Sequence, residues 1–544
     1  MIRFIWLTVI LGLCLASWTA SWADMEEVLS LLTVETESKL GHSVSNAGDV
    51  NGDGYDDLIV GTYSPDVYPS YVYIFFSGPT FDTIPDVILS SPNSMFGEVL
   101  SSAGDVNGDG YSDVMVYSLY YLGIAYIYYG GNPMDTVLDV TLVGQVERDF
   151  FGQSMAEAGD LNSDGYDDVI IGAYMAPNGG KAYVYFGGDP MDTIPDLILK
   201  NPSGSAFGLD VRGLGDVNGD GYSDVGVGDP YIGSYRGDVY IYCGGPNIDR
   251  YPEFVLKGLI SYSYFGYRLA GCDLNSDGYS DVIVGEVGGD GRVHIYGGGT
   301  TLPQFPDLTM SGRTGSEALG IRLRAVGDLD DDGYEDFVAG NDQYRGRVYA
   351  YYGRKWMDRD IDLVLPNAAS GPDNYGIRFA GLDFNGDGHQ DLAVGSRDES
   401  LVYVYRIRHK QFVITLKPDA RTVALGEKLG WSVTIANNTG TDQSLYFWVD
   451  LLDPDARYYG DGPVLGPKLK KIPAGKVVSK HLSMEIPGDP ALGQYTCTLK
   501  ADTTEPKRPY LDFIENDSFE FEIVASERRF GNSYFSNKLR NKGR

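Results

Sequence analysis

The feature that most constrains this chain is an acidic nine-residue loop that recurs seven times in register. It reads DVNGDGYDD from Asp49, DVNGDGYSD from Asp105 and again from Asp216, and DLNSDGYDD from Asp160. DLNSDGYSD from Asp273, DLDDDGYED from Asp328 and DFNGDGHQD from Asp383 complete the set. Successive starts lie 55–57 residues apart, and self-similarity at a fixed period is the signature of a repeat architecture. Each unit also reads as four short strands; in the second these are Glu98–Ala103, Asp113–Ser118, Gly123–Tyr129 and Leu138–Val143. Seven four-stranded units separated by turn signals predict a β-propeller, in which radial repetition closes the ring. The closing strands at 86–91 and 196–201 have a counterpart in Glu27–Leu32, ahead of the first loop, while the seventh unit stops after Val402–Ile407. The N-terminal strand is therefore expected to complete the last blade, and the propeller to span residues 25–408.

The composition agrees with an all-β chain. A hydrophobic share of 43% suffices for large cores, and 71 glycines with 41 tyrosines suit many tight turns and aromatic strands. The period is lost over 411–524, where Phe412–Lys417, Lys428–Ala436, Ser444–Leu452, Lys476–Ile486, Gln494–Ala501 and Ser518–Val524 read as strands. That spacing predicts an immunoglobulin-like β-sandwich in architecture, without the two-cysteine framework of antibody domains. The basic tail at 525–544 is expected to be disordered. At the other end Arg3, an apolar run from Phe4 to Leu15 and Ser21-Trp22-Ala23 predict a signal peptide over 1–23, too short to remain as a membrane span. The protein is thus expected to be secreted or held at the cell surface. A formal charge of −34 argues against nucleic acid and anionic membranes as partners. Cys243, Cys272 and Cys497 would remain after cleavage, which is no disulfide scaffold; the first two either pair or lie buried as thiols.

Oxygen donors at loop positions 1, 3, 5, 7 and 9 make a wrapping cage for a hard cation, with position 7 contributing its carbonyl. In the first two loops these are Asp49, Asn51, Asp53, Tyr55 and Asp57, and Asp105, Asn107, Asp109, Tyr111 and Asp113. The third and fourth supply Asp160, Asn162, Asp164, Tyr166 and Asp168, and Asp216, Asn218, Asp220, Tyr222 and Asp224. The fifth and sixth supply Asp273, Asn275, Asp277, Tyr279 and Asp281, and Asp328, Asp330, Asp332, Tyr334 and Asp336. Asp383, Asn385, Asp387, His389 and Asp391 form the seventh. Six loops carry three carboxylates and the sixth carries four, a density that is strongly repulsive without a metal. Calcium fits six to eight oxygens at flexible geometry better than magnesium does, so up to seven Ca2+ are expected, one per blade. An EF-hand would need an acid at position 12, where Val60, Val116, Ile171, Val227, Val284, Ala339 and Val394 stand. At position 7 the His389 imidazole is expected to be incidental, and the tyrosines to pack between blades.

Phe96-Gly97, Phe151-Gly152, Phe207-Gly208 and Phe265-Gly266, each just upstream of an acidic loop, resemble the FG of FG-GAP repeats. The loops with aspartate at position 9 are similar to the calcium loops of integrin-α propellers, and the resemblance covers residues 25–408. Gly41, Gly320 and Gly376 keep the glycine after Leu40, Leu319 and Tyr375. The resemblance implies calcium binding, adhesion and protein–protein recognition, though all seven loops match here where the family fills only some. The stretch IPAGKVVSKHLSMEIPGDPALGQYTC resembles the CARDB-like sandwich modules of exported bacterial proteins.

Only five histidines occur, His42, His294, His389, His409 and His481, and no nucleophile elbow, zinc helix or phosphate loop appears in its required context. A binding module for a protein or surface glycan is the leading expectation, with a carbohydrate-active or hydrolytic enzyme on a propeller platform as the alternative. Polar side chains converging at one channel mouth would favour the enzyme, and exposed aromatics on one face would favour binding. In an up-and-down blade the acidic loops share a face with the third-to-fourth-strand turns. The second-to-third-strand loops and the links between blades then share the opposite face, where Tyr63, Tyr68, Tyr120, Tyr174, Tyr231 and Tyr235 are expected to meet the ligand.

Overall fold

The structure, a computed structural model, describes residues 25–32, 39–63, 70–79, 81–119, 122–201, 204–312, 318–341, 347–355, 357, 359, 361–365, 375–396 and 400–407, and eight strands between 412 and 524. Contacts divide the chain into two compact units, Met1–Arg408 and His409–Arg544. The segment read as a signal peptide and the basic tail lie outside the described residues.

The first unit is a seven-bladed propeller of four-stranded antiparallel sheets. In the second blade the strands run outward as Leu100–Gly104, Asp113–Ser118, Ile124–Tyr128 and Val140–Val143. The innermost strands meet in a closed cycle: Lys39–Gly48, Leu100–Gly104, Ser154–Gly159, Asp210–Gly215, Phe265–Cys272, Arg322–Gly327 and Tyr375–Leu382 each touch the next, and the last touches the first. The N-terminal strand closes the ring as expected. Met25–Leu32 pairs antiparallel with Leu401–Ile407, Met25 opposite Ile407 and Leu32 opposite Leu401, as the outermost strand of the last blade.

The core lies between blades. Ile59, Val72 and Ile74 of the first blade pack with Phe96, Val114 and Val116 of the second. Each second strand is therefore covered on both faces, and Asp113–Ser118, Asp168–Ala173, Asp224–Asp229 and Asp281–Glu286 are buried at every residue. This is why those strands read as continuous apolar runs rather than alternating ones. Phe96, Phe151, Phe207 and Phe265 are at most 2% exposed; truncating one to alanine would cost about 3–5 kcal/mol. Cys243 and Cys272 are buried free thiols, so the pairing alternative does not apply.

In the second unit Phe412–Pro418, Lys428–Asn437 and Lys476–Glu485 form one sheet. Thr422–Ala424, Glu515–Val524, Gly493–Asp502, Gln443–Leu452 and Leu465–Ile472 form the other. Thr422–Ala424 and Leu465–Ile472 are absent from the sequence reading. The first is only three residues long and pairs parallel with the last strand; the second, LGPKLKKI, carries glycine and proline that mask a strand pattern.

Candidate metal centres

Each acidic loop joins the first strand of a blade to the second, and all seven are built on one hydrogen-bond scaffold. The position-1 carboxylate accepts the N–H groups of positions 5 and 6: Asp53 N to Asp49 Oδ1 at 3.0 Å and Gly54 N to Asp49 Oδ2 at 2.8 Å. The same pair recurs at Asp105, Asp160, Asp216, Asp273, Asp328 and Asp383. Position 5 in turn accepts the position-7 N–H, as in Tyr111 N to Asp109 Oδ1 at 3.0 Å and His389 N to Asp387 Oδ1 at 3.2 Å. Position 6 is glycine throughout, with φ between 86° and 94°. At Gly221 an added Cβ would meet nothing within 4 Å, so the requirement there is the left-handed backbone itself.

Position 9 anchors the cage. Asp57, Asp113, Asp168, Asp224, Asp281, Asp336 and Asp391 are at most 2% exposed. Asp113 Oδ2 accepts Val106 N at 3.0 Å and its Oδ1 accepts Gly130 N at 2.8 Å, tying the acidic loop to the third-to-fourth-strand turn. Five other blades repeat this arrangement, as in Asp57 with Val50 and Ser77 and Asp336 with Leu329 and Gly353. Both kinds of turn therefore share one face. Burial, with the charges at positions 1 and 5 adding to it, pushes Asp57 and Asp113 up to about 8; burial, with the charges of Asp330 and Asp328 adding to it, pushes Asp336 up to about 9. In the sixth loop Asp328, Asp330 and Asp332 bring a carboxylate oxygen each within 4.8 Å of one another. Asp330 Oδ1 is buried there without a hydrogen-bond partner. The loops differ at position 3: Asn51, Asn107, Asn162 and Asn218 accept the position-5 N–H, whereas Asn275 and Asn385 donate to the position-9 carboxylate. An oxygen-only donor set with orphaned and repelling carboxylates fits a hard divalent cation.

The loops also join one another around the ring. Ser112 N donates to the Asp49 carbonyl at 2.9 Å, Asp167 N to Asp105 at 3.1 Å and Ser280 N to Asp216 at 2.9 Å. Gly131 N donates to the Val50 carbonyl at 2.8 Å, and Gly78 N to Phe384 at 2.9 Å carries the belt across the closure. The position-7 tyrosines pack between blades as expected: an alanine Cβ at Gly52 would stand 2.5 Å from the Tyr111 ring, and one at Gly219 would stand 2.2 Å from Tyr279. His389 is not incidental, because its ring pairs with Asp331 of the preceding loop. Position 8 was missed by the sequence reading. Asp167 Oδ2 accepts Asp105 N at 2.8 Å, and Glu335 Oε2 accepts Asp273 N at 2.7 Å, each reaching the preceding blade.

On the opposite face, Tyr174 is half-buried and stacked on Phe150 at 5.2 Å. Tyr231 and Tyr235 meet at 5.9 Å and join Tyr262 and Tyr264 in one cluster. Tyr235 and Tyr262 are 44% and 65% exposed. Tyr262 and Tyr264 were not among the tyrosines expected there; they lie in a link between blades rather than in a second-to-third-strand loop. The Tyr63 side chain, Tyr68 and Tyr120 lie outside the described residues. Among the described residues no helix is long and apolar enough to cross a membrane.

A family model described as FG-GAP-like repeat matches residues 49–116, and one described as FG-GAP repeat matches 151–185, 265–296 and 375–405. Integrin alpha-5 of Xenopus laevis is 36% identical over 185 residues, 31% of this chain and 17% of that protein. Integrin alpha-3 of Cricetulus griseus is 38% identical over 164 residues, 28% of this chain and 15% of that protein. Integrin alpha-6 of Homo sapiens is 41% identical over 145 residues, 25% of this chain and 12% of that protein. The matched region thus spans less than a fifth of these relatives. A CARDB domain from Pyrococcus furiosus superposes at a TM-score of 0.16 and 12% identity, covering 21% of this chain and 87% of that domain, which is too slight to bear on the fold. With seven blades, buried FG phenylalanines and the matched repeats in one ring, the first unit is an FG-GAP repeat propeller of the integrin-α type.

Proposed function

We propose that this protein is a secreted or cell-surface adhesion module whose propeller holds calcium, one ion per blade, and takes a protein or surface-glycan ligand on the face opposite the calcium loops. The observation that carries the metal assignment is the single scaffold repeated in all seven loops. Positions 1, 3, 5 and 9 would supply side-chain oxygens, and position 7 its carbonyl. Bound calcium would neutralise carboxylates that burial and mutual repulsion otherwise disfavour. It would also stiffen a belt that already links blade to blade.

For the ligand face, the tyrosine cluster of half-buried Tyr231 with exposed Tyr235 and Tyr262 offers large area at low entropic cost. The channel mouth on that side does gather polar groups, but the charged ones are five arginines and Asp210, and guanidinium groups bind anions and do not act as bases at neutral pH. A binding role is therefore favoured over catalysis. We further read 411–524 as a separately folding Ig-like, CARDB-like sandwich.

The test compares wild type with Tyr231→Ser/Tyr235→Ser. Calcium should raise the melting midpoint of both equally over a chelator, because it binds only the folded cages. Capture of a surface partner should fall only in the variant. Equal midpoints with and without calcium would remove the metal assignment; partner binding that follows loop substitutions at saturating calcium, and not the tyrosines, would move the ligand to the other face.

A further inference from the structure

The central channel contains a concentration of positive charge that the acidic loops do not explain. A chamber of about 230 Å3 lies toward the tyrosine face, lined by Arg212, Arg268, Arg322, Arg324 and Arg378. These come from four consecutive blades. Arg268 and Arg322 pair with Gly285 and Gly340, each four residues past its position-9 aspartate, and Asp210 pairs with Gly228 at the same level. Arg212 and Arg324 stand one level nearer the metal loops, opposite Gly226 and Val338. The first three blades contribute neutral groups to the chamber, including Ser45, Val99 and Ser154.

Arg212 and Arg268 are incompletely compensated. Arg212 Nη2 and Arg268 Nη1 share one oxygen, Asp210 Oδ1, at 3.5 and 3.7 Å, while Asp210 Oδ2 is taken by Leu269 N at 2.8 Å. Arg324 Nη2 crosses the channel to Ser45 Oγ at 3.0 Å. Arg212 Nε is buried without a hydrogen-bond partner. Among the described residues Glu98 lies toward Arg378 and Glu157 toward Arg324. Burial pushes both Glu98 and Glu157 above their ordinary range, which weakens that compensation further. Burial and the charge of Arg212 lower Arg324 to about 10; burial and the charges of Arg322, Arg268 and Arg212 lower Arg378. In a chain of net charge −34, such a cluster calls for an anion. Guanidinium groups are the side chains best suited to planar, bidentate oxyanions.

We propose that this chamber is a binding site for a small, multiply charged oxyanion of the carboxylate or phosphate type, entering past Tyr174, Tyr231 and Tyr267. The space corresponds to about seven or eight waters at liquid density. That is room for a dicarboxylate or a phosphate ester and too little for a folded segment. Tyr267 already stacks under Arg268, with the guanidinium carbon 4.9 Å from the ring centre, which holds that guanidinium in place at the mouth. The site is independent of calcium in the outer loops, and Tyr231 at its mouth also belongs to the tyrosine cluster.

The test is calorimetric titration of the calcium-loaded full chain with sodium sulfate, glutarate and phenyl phosphate at constant ionic strength, with sodium chloride as control. A saturable heat with a stoichiometry near one is expected for sulfate, together with a raised melting midpoint. Tighter binding of glutarate assigns a carboxylate ligand, and tighter binding of phenyl phosphate a phosphate ester. Arg268→Gln should weaken sulfate by about tenfold or more, and Arg212→Gln takes its place if that variant does not fold. A readout without variants is modification by phenylglyoxal, which sulfate should slow at Arg268 and Arg212 in peptide maps. No saturable heat beyond chloride, unaltered affinity in a folded variant, or unchanged modification rates would each overturn the proposal.

Discussion

Asp109→Ala in the second blade separates the metal's contribution from that of the loop. Asp109 is exposed. Its Oδ1 accepts Tyr111 N and its Oδ2 accepts Asn107 Nδ2, both at 3.0 Å. Truncation therefore removes two solvent-accessible hydrogen bonds, worth about 0.5–1.5 kcal/mol each at most. It also relieves repulsion with Asp105 and Asp113, which offsets part of that loss. In chelator the net cost should stay within about 1 kcal/mol. In calcium at a hundred times the dissociation constant, a site that binds only the folded state contributes about 2.7 kcal/mol, and the variant should lose that amount in addition. Urea unfolding followed by circular dichroism in the two buffers measures the difference, and bound calcium should fall by one ion per chain. An equal loss in both buffers, or an unchanged ion count, would refute the assignment of this loop as a cage.

Two further outcomes follow from the geometry. Gly221→Ala meets no atom but must hold φ at 91°, so it should cost about 1–2 kcal/mol in urea unfolding; Gly219→Ala, with the Tyr279 ring 2.2 Å from its Cβ, should cost more. Residues 411–524 expressed alone should give a dispersed amide spectrum, and a molten or aggregated product would contradict the boundary.

Much of the propeller was legible because its determinants are local and repeated. The loop spacing, the apolar second strands and the spare N-terminal strand each leave a pattern within a few residues, and the closing strand was expected at Glu27–Leu32 where Met25–Leu32 is found. What stayed hidden depends on one blade meeting the next. Asp167 and Glu335 look like ordinary solvated acids until the ring places them on the preceding blade's backbone. His389 reads as incidental until Asp331 faces it. The arginine chamber is hardest to read, since its members come from four blades. The irregular pairing in the inner strands also falls at different places: between Gly213 and Gly215 in one, and between Phe265 and Arg268 in another. Arg268 therefore stands five residues before its loop where Asp210 and Arg322, at the same level, stand six before theirs, and the four blades place different residue types at equivalent positions, so no single motif marks the chamber.

The calcium content of the purified chain tests the central claim most directly. After dialysis against micromolar calcium and desalting, atomic emission should find close to seven ions per chain, one for each repeated cage, with the number falling to zero in chelator as the melting midpoint drops. A content of one ion or none, with a midpoint indifferent to chelator, would show that the seven loops are turns held by their own hydrogen bonds and not metal sites.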